Sequence, residues 1–172
     1  MTTIIFGIFE EGLVYAIMAL GVYITYKILD FPDLSVDGTF PLGAALTAIG
    51  IANGFLHPFA ALILSFAAGA AAGCITGLIH VKLKVRDLLS GIIVMTALYS
   101  INLRIAGKSN LPIFSKDTIF SNSFLSEHVP AAMSPYVVTI ILLVIVLVCK
   151  LLLDAYLKTR SGYLLRAVGD ND

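Results

Sequence analysis

Charge is what this sequence has least of. Only 13% of its 172 residues are Asp, Glu, Lys or Arg, about half the ~25% usual in a soluble domain. The shortage is concentrated, since residues 38–81 contain none of the four. About 20 apolar residues carry a helix across a bilayer, so this stretch alone has room for two passes. The charges that exist sum to zero, which gives no general case for nucleic-acid binding. Cysteine is scarce too. Cys74 and Cys149 lie far apart, each inside an apolar run. They read as reduced thiols packed against lipid or core, not as a disulfide framework. No leader with a small-residue cleavage site is visible. The first apolar segment starts near Met1 and continues into a full span, so it reads as a retained signal-anchor. There is no His-Glu-x-x-His and no Gly-x-Ser-x-Gly, the spacings that place a zinc site or a nucleophile elbow. His57, His80 and His128 are scattered among loops and helix ends, as structural histidines are. An intramembrane enzyme therefore has little support, and no metal ligands are assigned.

Five apolar segments remain, at 4–28, 37–53, 58–81, 88–105 and 135–153. They are too long for strands and do not alternate, and an open sheet edge is not tolerated in hydrocarbon. The expected fold is all-α: one polytopic transmembrane helix bundle of about five spans covering 1–172, ending in an amphipathic cytoplasmic segment. The breaks have physical causes. Asn53-Gly54 and His57-Pro58 end one helix and restart another, because proline donates no backbone hydrogen bond and crowds the preceding turn. Lys82, Lys84 and Arg86 form a short basic turn. Residues 107–134 form a long polar outer loop holding Pro112 and Pro130. Within it, 116–125 reads either as a short helix facing a binding protein or as a solvated loop.

Orientation follows from where the basic residues fall. If the turn at 82–86 is cytoplasmic, then Lys27, Lys82, Lys84, Arg86, Lys150, Lys158, Arg160 and Arg166 are inside. Only Arg104, Lys108 and Lys116 are outside. The N-terminus is therefore expected outside and the C-terminal stretch inside.

Three features stand out within this frame. Gly69, Gly73 and Gly77 recur every four residues after Ser65. Residues so spaced share a helix face, and a bare face lets another helix backbone approach closely; tight helix packing is the expectation. Residues 30–41 separate two apolar segments, yet they hold Asp30, Asp33, Asp37, Pro32, Pro41 and Gly38 among Phe31, Leu34, Val36 and Phe40. The stretch reads as a connecting loop or as a broken helix at membrane depth, which is tolerated only when buried in protein or lining a cavity. Asp37 is placed to cap the helix that follows. Residues 158–172 are short, basic and amphipathic, with Tyr163, Leu164, Leu165 and Val168 among Arg160, Arg166 and Asp170. They read as a juxtamembrane helix on anionic headgroups or as a docking helix for a cytosolic partner.

Residues 159–171, Thr-Arg-Ser-Gly-Tyr-Leu-Leu-Arg-Ala-Val-Gly-Asp-Asn, resemble the cytoplasmic coupling segment of ABC-importer permeases of the branched-chain amino-acid and ribose type. Residues 26–44 resemble a subgroup of those permeases that is uncharacterised or linked to aromatic amino-acid uptake. The resemblance implies a transport subunit without chemistry or ATPase activity of its own, in the bacterial cytoplasmic membrane. It implies a dimer with a second permease copy, a cytosolic ATPase that binds the ATP, and an extracellular solute-binding protein that delivers a small solute such as an amino acid. No cofactor is implied in this chain. Carried over residue by residue, Arg160, Gly162, Arg166, Ala167, Gly169, Asp170 and Asn171 match the coupling motif. Pro32, Asp33, Asp37 and Gly38 match the subgroup's stretch and are candidates for the translocation path. Family members continue past the coupling segment with further spans, so 1–172 corresponds to the N-terminal half of a longer permease, whether as a fragment, a shortened gene or one of two chains. The alternative is a secondary transporter or channel driven by an ion gradient, with Asp30, Asp33 and Asp37 binding the cation.

Overall fold

The computed structural model describes residues 2–108, 113, 118–120 and 134–170. All regular elements among them are helical. Four of the helices are long and apolar enough to cross a membrane. The described chain falls into two compact units, Met1–Phe31 with Asn122–Asp172, and Pro32–Ser121.

The first unit holds α1 (Thr2–Val22), a π-helical turn (Tyr23–Ile28), α5 (Ser134–Leu157) and α6 (Arg160–Gly169). Nothing breaks the apolar run of α1 before Pro32. The helix instead widens at its end, where Leu29 N–H donates five residues back to Ile24 O at 3.1 Å. Asp30 then turns the chain in the left-handed region at φ 50°, a conformation that Asp adopts more readily than most residues. α1 and α5 meet through an edge-on pair, Phe6 and Tyr136, with ring centroids 4.8 Å apart. Thr139 Oγ1 donates to Glu10 Oε1 at 2.9 Å, which gives an acidic group inside an apolar helix a local partner.

The second unit holds α2 (Val36–Ala52), α3 (Pro58–Leu83) and α4 (Asp87–Ala106). α2 has 17 residues, short of the ~20 a lone spanning helix needs. α3 opens with Pro58 in its first turn, where the missing N–H costs nothing. It ends at Lys84 in the left-handed region, and His80 Nδ1 donates to Val85 O across that turn at 2.9 Å. His57 precedes α3 and stacks on Phe59 at 5.6 Å. Gly107 stops α4 at φ 66°, returning its N–H to Leu103 O, a left-handed cap that glycine adopts without strain. The core is Leu42, Ala72, Val94 and Leu98, with Leu46, Ala68, Ile79 and Ile105 against it. Between α2 and α3 the glue is polar: Ser65 Oγ and Thr47 Oγ1 both donate to Gly43 O, at 2.9 and 2.8 Å, and lie 2.6 Å apart.

The glycine row departs from expectation. A Cβ at Gly69, Gly73 or Gly77 would meet nothing within 4 Å, so no described helix packs there. α3 packs instead through Ala61, Ser65, Ala68, Ala72 and Thr76. A row of residues four apart advances about 40° per step around a helix. It therefore leaves the packed face after Ser65 and carries the three glycines away from it. The polar stretch 107–134 lies outside the described residues except at 107–108, 113, 118–120 and 134, and His128 is among those not described.

Candidate functional site

The polar stretch at 30–41 resolves into residues with different tasks. Asp33 folds back on its own backbone, its Oδ1 accepting from Ser35 N–H at 2.8 Å. This Asx turn closes the non-helical segment and starts α2. Ser35 O then accepts from Gly38 and Thr39 N–H, both at 2.9 Å. Asp37 is not the cap. It sits in the first turn of α2 with no capping bond from Ser35 or from itself, because the chain already enters the helix at Val36. Its charge still suits that end of the helix dipole.

α4 receives this stretch through a glycine. A Cβ at Gly91 would fall 2.8 Å from Leu34 N and 3.2 Å from both Ser35 N and Asp33 Oδ1. Only a bare residue lets the Asx turn rest there, beside the fully buried Ser90. Gly38 repeats the arrangement further up: its Cβ would come within 3.0 Å of Met95 Cα and Leu98 Cβ. Met95 and Leu98 flank the middle of the 20-residue α4. The first turn of α2 therefore lies level with the centre of a helix able to cross a membrane. Asn102 completes the crossing, its Nδ2 donating to Gly38 O at 2.9 Å.

Beside this crossing α2 and α4 line a groove of about 650 Å³. Its wall is apolar, from Pro41, Ala44, Ala45, Ala48, Met95 and Leu103. Its polar members are Asp37, Thr96, Tyr99, Asn102 and Lys108. Pro32 lies apart from it, lining a separate cavity with Arg86, Asp87 and Leu88. Of the four residues singled out in this stretch, one lines the groove (Asp37), one builds the turn (Asp33), and one is the close-contact residue (Gly38). No three His, Cys, Asp or Glu side chains among the described residues are placed to hold a metal ion. Gly91, Tyr99 and Asn102 were not picked out in the sequence. Asn102 alone left a trace there, as an amide inside the apolar run 88–105.

In the other unit the basic C-terminal stretch forms a separate helix. Thr159 is extended, caps α6 by accepting from Gly162 N–H at 3.3 Å, and donates to Tyr156 O at 2.6 Å. A Cβ at Gly162 would stand 2.5 Å from Leu157 Cα, so glycine permits the tight elbow between α5 and α6. A Cβ at Gly169 would run into Ile28 O, and this second bare contact seats the far end of α6 on the π-helical turn. Arg160, Arg166, Ala167 and Asp170 are exposed, as are Tyr163, Leu164 and Val168. Asp154, Leu157, Lys158, Tyr163 and Arg166 line a notch of about 340 Å³ at the elbow. Asn171 lies outside the described residues.

A family model described as a branched-chain amino acid transport system permease component matches residues 4–172. The chain is 48% identical over 167 residues to a tyrosine transport system permease protein of Clostridioides difficile, covering 97% of this chain and 52% of that protein. It is 34% identical over 163 residues to an uncharacterized protein of Rickettsia prowazekii, covering 94% of this chain and 53% of that one. It thus spans about half the length of both relatives. No solved structure matches it at a significant level. A family match over nearly the whole length, with four helices fit to cross a bilayer, makes this a multi-pass membrane protein, and the chain belongs to the family of branched-chain amino acid transport system permease components.

Proposed function

We propose that these residues form the N-terminal half of the permease subunit of an ATP-driven importer for an amino acid, with an aromatic amino acid such as tyrosine as the cargo. The observation that carries the reading is α6. Its motif-bearing residues Arg160, Arg166, Ala167 and Asp170 are exposed, while its two glycines at 162 and 169 fix it against its own unit. A helix held by bare contacts at both ends moves with the helices it touches, which suits a lever between a membrane bundle and a cytosolic partner. The 48% identity to a tyrosine transport permease supports the substrate class.

In this reading a cytosolic ATPase docks on α6 and supplies the ATP site, so this chain holds no cofactor and performs no chemistry. An extracellular solute-binding protein delivers the cargo, and a second permease copy completes the pathway. The protein lies in the bacterial cytoplasmic membrane with its N-terminus outside. ATP binding closes the ATPase, α6 follows, and the helices rock between outward- and inward-open arrangements. Asp33 and Pro32 brace the broken stretch, and Asp37 and Gly38 lie on the path. The bare row Gly69, Gly73, Gly77 is assigned to a helix from the remainder of the permease.

Co-purification of the full-length protein with the ATPase encoded beside it tests the reading. Arg166→Glu, a surface reversal, and Gly169→Trp, which unseats α6, should each abolish association. Retention of the ATPase by both variants would overturn the coupling assignment.

A further inference from the structure

We propose that the groove between α2 and α4 binds the ammonium group of the transported solute, with the Asp37 carboxylate as counter-charge and Asn102 Oδ1 as a hydrogen-bond acceptor. The inference rests on the importer reading above and adds where and by what chemistry the solute is held.

Depth is the first argument. Gly38 crosses α4 at Met95 and Leu98, the middle of a 20-residue helix able to cross a bilayer. Asp37, one residue before, lies at that level. An ionised carboxylate at mid-membrane is costly, and such groups face cavities or partners and mark solute and ion pathways. Asp37 faces the groove and forms no ion pair or side-chain hydrogen bond among the described residues. Glu10 differs, since Thr139 donates to it.

The second argument is independent of Asp37. Asn102 Nδ2 is used on Gly38 O at 2.9 Å, which turns its Oδ1 the other way. That oxygen is buried and accepts no hydrogen bond from the described residues. An unpaired buried acceptor costs about 1–3 kcal/mol, a cost that a donor on a ligand removes. Pro41 adds to the excess of acceptors, because it has no N–H to return to the Asp37 carbonyl four residues back. Thr96, also in the groove, commits its hydroxyl proton to Ile92 O at 2.8 Å. The polar groups at this level thus offer lone pairs and negative charge, with the phenol of Tyr99 and the second N–H of Asn102 Nδ2 as the remaining donors. The matching ligand group carries several N–H donors and a positive charge, as a primary ammonium does.

Tyr99 and the apolar wall suit the rest of such a solute. Tyr99 is 67% exposed and lines the groove, where its ring can face a cation or stack on an aromatic ring. The groove's one cation, Lys108, follows Gly107 beyond the end of α4. The site is assigned to the amine and the side chain of the solute.

The test is equilibrium binding of radiolabelled L-tyrosine to the full-length permease–ATPase complex in nanodiscs without binding protein, alongside ATP-driven uptake in proteoliposomes. Tyramine should compete about as well as unlabelled tyrosine, whereas 3-(4-hydroxyphenyl)propionate, which lacks the amine, should not. Asp37→Asn should weaken binding at least ~10-fold, and Asn102→Leu should do so to a lesser degree. Size-exclusion profiles and melting temperatures of the variants confirm folding; if Asp37→Asn does not fold, Tyr99→Ala, at an exposed position, should still weaken tyrosine binding. Equal competition by the deaminated acid, or unchanged affinity in the folded variants, overturns the site. So does intact uptake without any tyrosine binding, which would mean that lipid or another helix fills the groove. Absence of ATP-dependent uptake of any amino acid by the wild type would instead count against the importer reading itself.

Discussion

The elbow of α5 and α6 and the crossing of α2 and α4 are built by the same device and left in opposite states. Both rely on glycines where a Cβ has no room: Gly162 and Gly169 in one, Gly38 and Gly91 in the other. At the elbow the polar groups then satisfy one another within a few residues. Thr159 bonds Gly162 and Tyr156, Tyr156 meets Ser161, and Lys150 pairs with Asp154. At the crossing they do not, since Asp37 and Asn102 Oδ1 are left over. A network of short local bonds holds a shape; surplus acceptors beside a groove at mid-span need something from outside the fold. The first region suits a lever and the second a site.

The glycine contacts offer the strongest way to break this comparison. Gly91→Val places a side chain where Leu34 N is 2.8 Å from the Cβ position, and overpacking of this kind costs roughly 1–3 kcal/mol or more. The full-length protein carrying it should show a clear loss of melting temperature in detergent, whereas Gly7→Ala, with open space around it, should be neutral or slightly stabilising. Equal losses would mean that the close approach at Gly91 is wrong. Next in size is the cap of α6. Thr159→Ala removes both hydroxyl bonds and should cost about 1 kcal/mol of helix stability, read as faster amide exchange over 160–169; Thr159→Ser should restore protection. Smallest is the exposed pair Lys150–Asp154, 3.2 Å apart at i, i+4. Lys150→Ala should change stability by less than about 0.5 kcal/mol, and a larger loss would show that the pair is buried in the assembled protein.

The helices were legible because composition dictates them. The apolar runs at 58–81 and 88–105 fall inside Pro58–Leu83 and Asp87–Ala106, and Pro58 and Gly107 mark their ends for local reasons. The run at 135–153 stops short of Leu157, because Asp154 ends the apolar stretch while the helix continues through it. The crossing was harder to see. Asp33 and Asp37 look alike in the sequence; the local bond from Ser35 N–H makes Asp33 the turn-builder, and the crossing with α4, more than fifty residues on, makes Asp37 the groove carboxylate. Gly91 and Asn102 matter through those same distant contacts. The row Gly69, Gly73, Gly77 shows the converse. Its spacing is plain, but spacing gives a face and not the neighbour that covers it.

Uptake of L-tyrosine into proteoliposomes holding the full-length permease, its ATPase and its binding protein tests the central claim most directly. The account predicts uptake that requires ATP on the ATPase side and survives collapse of proton and sodium gradients. Uptake that proceeds without ATP and follows either gradient would contradict it.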